Sequence, residues 1–385
     1  VDAIQTAYVE WLAGQIGTVM LPTSQHGKRL HLGAQLEDIF TPPTFMTAQG
    51  TCSCTKLFEN RPLIAFTGTL GSGKSMMLRY CAWIACQAVI TQTFASTQNI
   101  LGLPTTNQTA VPLPLLFPIS EFAHRPPEKQ ALGLWAFMTD YLAKQSNIEH
   151  LAELLEGLFQ HSRPLLFLLD GLDEIAEPQK LEEVRQELHS LLIGRANVYA
   201  AVTYRSSALP YINLRSDFYP YTIQGLSNAE RQPFLQQTIK ALSKNNTSTN
   251  VTEKATVFWE KLQRVLHQRI RNRGKHAPIL EDNPLFLHTF LSLYLNTDNL
   301  RRFDRFDALT YLLILASYHW HDPTKLKIQG FIGSGVDTYI GILQKIAFES
   351  YFQEEEITEP WLLKILQQDG EGGRYAPYIE RFLHV

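Results

Sequence analysis

Cysteine is scarce in this chain, with four in 385 residues. Cys52 and Cys54 stand too close for a comfortable bridge, and Cys81 and Cys86 fall on different sides of one helical stretch. A disulfide framework is therefore not expected, and all four read as reduced thiols. A zinc reading of Cys52-x-Cys54 lacks a second ligand pair at finger spacing. An excess of charge of one sign is also missing. The formal net charge of −3 gives no global drive toward nucleic acid or an anionic membrane. Long apolar runs are absent too: stretches such as Tyr311 to Tyr318 fall well short of the roughly 18 residues that span a bilayer. The first residues carry Asp2 and Glu10 where a signal peptide has a basic segment. The expectation is a soluble, cytoplasmic chain. Its start at Val1 and its stop at Val385, directly after an amphipathic segment, read as cut ends.

What is present is apolar material, 45% of all residues, enough for a substantial core in two or three compact units. The chain is organised around Leu63 to Ser75, where the apolar run Ile64–Phe66 breaks into a glycine-rich turn closed by Lys74 and Ser75. This is the G-x-x-x-x-G-K-[ST] pattern, and the helical spacing of Met77, Leu78, Cys81, Ala82, Ile84, Ala85 and Val89 supplies the helix that should follow it. Gly68, Gly71 and Gly73 leave successive backbone N–H groups free to face phosphate oxygens, with Thr69 and Ser72 between them and Met76 just beyond. Lys74 is expected on the β- and γ-phosphates and Ser75 on Mg2+.

Before this loop, residues 1–20 put Ile4, Tyr8, Trp11, Leu12, Ile16 and Val19 on one helical face. Leu30 to Ile39 suggest a short extended or mixed segment, and residues 46–60 read as a polar connector. After the loop and its helix, the Thr/Gln/Asn-rich stretch 91–109 reads as solvated linker. Strands are expected over 111–122, 165–169, 197–203 and 219–223, and helices over 135–142, 148–159 and 178–193. The alternation predicts an α/β domain, a parallel sheet with helices on both faces. From Gly225 onward strands vanish. Ser227-x-x-Glu230 has capping-box spacing and opens a helix to about Leu242. Further helices are expected over 258–271, 283–295, 306–317, 337–352 and 360–368.

The second decisive stretch is Leu165-Leu-Phe-Leu-Leu-Asp170-Gly-Leu-Asp173-Glu174. Five large apolar residues suit a strand buried on both faces, with the acids at its carboxyl end, where open α/β sheets bind ligands. That strand is expected beside the phosphate-loop strand, so that Asp170 helps hold Mg2+. Asp173 or Glu174 would then orient or deprotonate the attacking water. Arg205, at another strand end, is placed to sense the γ-phosphate.

The phosphate loop, the doubled acids after Asp170 and the strand-end Thr203-Tyr204-Arg205 together resemble a NACHT domain of the STAND class of signalling ATPases. The likeness extends to Asn283-Pro284-Leu285, similar to the helical-domain motif whose proline packs on adenine. Arg381-Phe382-Leu383-His384 resembles the start of the winged-helix motif whose histidine contacts the ADP phosphate. Leu36-Glu37-Asp38-Ile39-Phe40-Thr41 is similar to the segment that brushes the base. Leu70 and Met76 depart from the family's usual residues without touching phosphate chemistry. The resemblance implies a P-loop NTPase sheet, then a helical subdomain, then an incomplete winged-helix-like subdomain, with expected limits of 1–45, 46–225, 226–298 and 299–385. It implies a slow ATPase switch, closed with ADP and opening with ATP to form a homo-oligomer. The effector and sensor would lie outside this chain, and the setting would be innate immune or antiviral (antiphage) defence.

Two rival readings are a motor-type ATPase acting on nucleic acid or protein and a small-molecule kinase. The basic cluster Arg264, Arg269, Arg271, Arg273 and Lys275 lacks aromatic interleaving and reads as a solvated helix end, so nucleic acid is not indicated. His319 and His321 do not share a helix face, which weakens a metal reading with Asp322.

Overall fold

The computed structural model describes residues 2–243 except 26–27, 70, 104–110, 162, 176, 196, 209–211, 213 and 215–216, and beyond them 257, 259–260, 282–285, 287–288 and 291. These lie within one compact unit, Val1–Leu291. The basic cluster at 264–275, the helices expected beyond residue 300, His319 to Asp322 and Arg381 to His384 lie outside the described residues.

The chain opens with helix α1 (Asp2–Ile16), strands β1 (Thr18–Gln25) and β2 (Lys28–Gln35), and the short helix α2 (Leu36–Ile39). Strands β3 (Phe45–Thr47), β4 (Gly50–Cys52) and β5 (Leu63–Gly68) lead into helix α3 (Lys74–Thr91). Then come β6 (Leu113–Pro118), α4 (Ile119–Ala123), α5 (Leu134–Ser146), α6 (Leu151–Gln160), β7 (Leu165–Asp170), α7 (Pro178–Leu192), β8 (Val198–Arg205), β9 (Tyr219–Ile223) and α8 (Asn228–Ser243). Seven strands form one sheet in the order β4-β3-β9-β5-β8-β7-β6. The five from β9 to β6 run parallel, and β3 and β4 are added antiparallel at one edge. Helices flank this sheet. Along β5, and along β7 as far as Leu169, every residue is buried. Successive side chains point to opposite faces, so both faces are covered.

Several expectations are corrected. Strand β7 does not lie beside β5, because β8 runs between them and pairs with both. Prolines explain the placing of β6: Pro114 and Pro118 cannot donate to a ladder on both sides, which suits an edge. The expected strand over 111–122 therefore stops at Pro118, and Ile119–Ala123 turn into α4. The helical face of residues 1–20 ends at Ile16, and Val19 belongs to a hairpin in which Thr18 pairs with Gln35 and Gln25 with Lys28. The polar connector holds β3 and β4. Within the 91–109 linker, Thr97–Leu101 form a π-helical turn with Thr97 and Leu101 buried. The backbone N–H groups of Lys56, Leu57 and Phe58 donate to the carbonyls of Asn99, Ile100 and Leu101, so this turn is packed structure that hydropathy does not reveal.

Helix α3 is apolar nearly all round, which suits a helix covered on several sides. It packs between α1 and the sheet. Cys81 and Cys86 are accordingly both buried, as free thiols. Helix α1 is tied to the sheet edge by Tyr8, whose buried hydroxyl donates to the Pro114 carbonyl at 3.0 Å. Ser227 and Glu230 form the expected cap on α8, with the Ser227 N–H donating to Glu230 Oε2 at 2.7 Å. Hydrogen bonding from Ser227, first from its side chain and then from its backbone N–H, holds the Glu230 carboxyl below its ordinary pKa. Among the described residues, no helix is long and apolar enough to cross a membrane.

Candidate functional site

The carboxyl ends of four parallel strands come level at one edge of the sheet, where Gly68 pairs with Arg205, Leu169 with Val202 and Pro118 with Asp170. The phosphate loop leaves β5 there. Gly71 and Gly73 have φ of +76° and +99°, left-handed values that a side chain resists. Gly73 is also the N-cap of α3, so the unpaired N–H groups of that helix open into the loop. Lys74 Nζ donates to the carbonyls of Gly68 (3.1 Å) and Thr69 (2.8 Å). Its pKa is lowered, first by burial and also by Arg205, while Asp173 and Asp170 oppose the shift.

Asp170 is gripped from two elements. Ser75 Oγ donates to Asp170 Oδ1 at 3.0 Å and Thr203 Oγ1 donates to the same oxygen at 2.5 Å. Thr203 in turn accepts the Gly171 N–H at 2.8 Å. The intervening strand β8 thus braces the acid that the sequence placed directly beside the loop. A carboxylate and a hydroxyl meeting at 3.0 Å are hard oxygen donors, a set that fits Mg2+.

The two following acids separate. Asp173 receives Arg205 twice, from Nε at 2.9 Å to Oδ2 and from the backbone N–H at 3.1 Å to Oδ1. Among the described residues, Glu174 accepts one side-chain hydrogen bond, from the neutral donor Ser120 Oγ at 3.1 Å to Oε2. Burial raises the Glu174 pKa, Asp170 and Asp173 add to the rise, and Ser120 and Arg205 oppose it.

A cleft of about 410 Å³ joins these groups. Of the expected site residues, Gly71, Ser72, Gly73, Lys74, Ser75, Met76, Asp170, Asp173, Glu174, Arg205, Phe40, Thr41 and Pro284 border it. Gly68 and Thr69 line a smaller neighbouring cavity of about 230 Å³ instead. Pro284 and Leu285 reach the cleft because the 282–285 segment is pinned to the sheet domain. Leu226 N–H donates to the Asp282 carbonyl at 2.6 Å, and a Cβ on Gly71 would meet Asn283 Oδ1 and Leu285 Cβ at 2.7 Å. Phe40 stacks on Tyr80 with centroids 3.8 Å apart. Gln237 of α8 accepts from Thr41 Oγ1 at 3.1 Å and donates to the Phe40 carbonyl at 3.3 Å.

The family model for the NACHT domain matches residues 62–241. Those residues are a NACHT domain. It is a P-loop NTPase domain of a signalling family, which supports nucleotide binding and NTP hydrolysis in general. No curated protein matches the chain. Sequence reasoning about the NACHT site missed Ser120, Gln237 and His288, and it named Thr203 in a strand-end motif without giving it a role. For Ser120 and Thr203 the available signal was their position at strand ends on the ligand-binding edge. Gln237 and His288 carry none without the tertiary fold.

Proposed function

We propose that this chain is a nucleotide-controlled signalling switch, closed with ADP and opening with ATP to assemble into a homo-oligomer that turns on an effector. The observation that supports this most is the seating of Asn283 and Leu285 against Gly71 of the phosphate loop, so close that an added Cβ there would lie 2.7 Å from Asn283 Oδ1 and from Leu285 Cβ. In this reading a nucleotide that alters the loop is felt by that segment, because a close-packed contact transmits small displacements. The division of the chain into a lead-in (1–45), a nucleotide-binding domain (46–225), a helical subdomain (226–298) and a winged-helix-like subdomain (299–385) belongs to the same proposal. The setting is cytoplasmic innate immune or antiviral (antiphage) defence, with effector and sensor segments outside this chain.

In this reading Lys74 and the glycine-rich backbone bind the phosphates, while Phe40, Thr41 and Pro284 flank the base. Ser75 and Asp170 would hold Mg2+, which neutralises phosphate charge when bound. Glu174 takes a proton from the attacking water, since it borders the cleft, has a raised proton affinity and is bonded, among the described residues, to a neutral hydroxyl. Asp173 holds Arg205 toward the γ-phosphate side. His384 is assigned to the ADP phosphate by resemblance alone and lies outside the described residues. Light scattering on the purified chain with ADP and then with a slowly hydrolysed ATP analogue tests the switch. A monomer with ADP and a larger species with the analogue are expected; one size in both would sink it.

A further inference from the structure

Ser120 has no place in the reading above, yet it makes the one side-chain hydrogen bond described for Glu174, at 3.1 Å. Its position in the sheet gives that bond a direction. The strand order runs β5, β8, β7, β6. The phosphate loop leaves β5, Glu174 follows β7, and Ser120 lies in the first turn of α4, just past the end of the edge strand β6. Ser120 and the phosphate loop are thus on opposite sides of β7. Glu174 is also folded back on its own turn: a Cβ on Gly171, which has φ +79°, would meet the Glu174 carboxyl carbon at 2.8 Å and its oxygens at 3.0 and 3.1 Å. The carboxylate therefore borders the cleft while resting over Gly171 and bonded outward, away from Lys74 and Ser75.

We infer that Ser120 is a positioning residue that parks the Glu174 carboxylate on the side of β7 remote from the phosphates, restraining hydrolysis in the closed state. This rests on Glu174 being the base. Ser120 is well suited to the task because it is itself anchored: its carbonyl accepts the His124 N–H at 3.0 Å and lies 2.9 Å from His124 Nδ1. An O–H donated to a carboxylate is stronger than a neutral bond, yet the acid swings free when its partner lets go. Full turnover then needs α4 to shift or Glu174 to change rotamer, which couples hydrolysis to the edge of the sheet.

Steady-state ATP hydrolysis by the full chain tests this with Ser120→Ala, Ser120→Thr, Glu174→Gln and the Ser120→Ala/Glu174→Gln pair. Ser120→Ala should raise kcat about three- to tenfold with KM unchanged, since the bond biases a carboxylate and touches no nucleotide. Ser120→Thr, which keeps the hydroxyl, should restore the slow rate. In the Glu174→Gln background the serine substitution should have no effect. An unchanged or lowered kcat in Ser120→Ala, with Glu174→Gln inactive, overturns the parking role and leaves the base assignment standing. Wild-type turnover in Glu174→Gln overturns the base assignment and the parking role together. A rise in kcat that persists in the double variant shows that Ser120 acts through something other than Glu174, and also overturns the inference.

Discussion

In the proposed function, single side chains in this cleft have separable duties. Lys74 carries the charge that phosphate requires, so Lys74→Ala should weaken nucleotide binding about a hundredfold or more with the fold intact, as calorimetry can read. Unchanged affinity would remove the phosphate-loop assignment. The doubled acids differ in their partners: Arg205 occupies both oxygens of Asp173, and among the described residues Glu174 is hydrogen-bonded by Ser120. Glu174→Gln should therefore lose hydrolysis about a hundredfold or more while keeping ATP bound. Asp173→Asn should lose less, about tenfold, because it loosens Arg205 without removing the base. Equal losses in single-turnover assays would contradict this division. Titration gives an independent check. Burial and the neighbouring Asp170 and Asp173 raise the Glu174 pKa, and a base works only when deprotonated. The acid limb of the kcat profile should accordingly fall at a pH above the ordinary glutamate value of 4.5. A limb at or below that value would argue against Glu174.

Elements show why some of this was legible in the sequence and some was not. Strand β7 and helix α7 announce themselves, the first by five apolar residues in a row and the second by Leu181, Val184, Leu188, Leu191 and Leu192 buried at helical spacing. Strands β3 and β4 have three residues each, too few to carry a period, and the π-helical turn at 97–101 is polar in composition and held by the 56–58 backbone. The phosphate loop was legible because its parts are contiguous. The Ser120–Glu174 and Thr203–Asp170 contacts were not, because sheet order makes them, and the sequence suggested β7 beside β5. The same holds for the seam between α8 and the 282–288 stretch. Thr238 Oγ1 donates to the Phe234 carbonyl at 3.0 Å, which leaves its oxygen to accept from His288 Nε2 at 3.0 Å. The imidazole also stacks on Phe234 with centroids 4.7 Å apart. Burial lowers the His288 pKa from 6.5 to about 4. The unfolded chain therefore binds a proton there first: stability from this group is present above pH 6.5 and is lost as pH falls toward 4. Protection factors in the seam, measured against the intrinsic exchange rate at each pH, should fall as pH drops over that window and stay level in His288→Gln. A seam equally protected at both ends of the window would show that the histidine does not govern it.

At the largest scale, in the proposed switch the sheet supplies chemistry and the 282–285 segment supplies a cover, and the joint between them runs through glycine. Gly225 stands between β9 and α8, and a Cβ there would meet Asp282 Oδ2, Cγ and Cβ at 2.7, 2.8 and 2.9 Å. The adjoining Leu226 N–H holds the Asp282 carbonyl at 2.6 Å. Closure at this point therefore depends on the absence of a side chain. Asp282 cannot yield easily, because it is partly buried, and burial raises its pKa against the pull of Arg231. Gly225→Val should push the 282–285 segment off the phosphate loop at a cost of about 1 to 3 kcal/mol to the closed form. A loss near 2 kcal/mol confined to one of two states changes their ratio about thirtyfold. The variant should then release a fluorescent ADP analogue on the order of tenfold faster and assemble with ATP in the absence of any trigger. Its sheet should remain intact, since Gly225 lies outside every strand. Gly225→Ala, with a smaller side chain, should shift both readouts in the same direction by less. If ADP release stays at the wild-type rate in both variants while melting temperature falls, the contact is structural and the nucleotide is not reported through this joint.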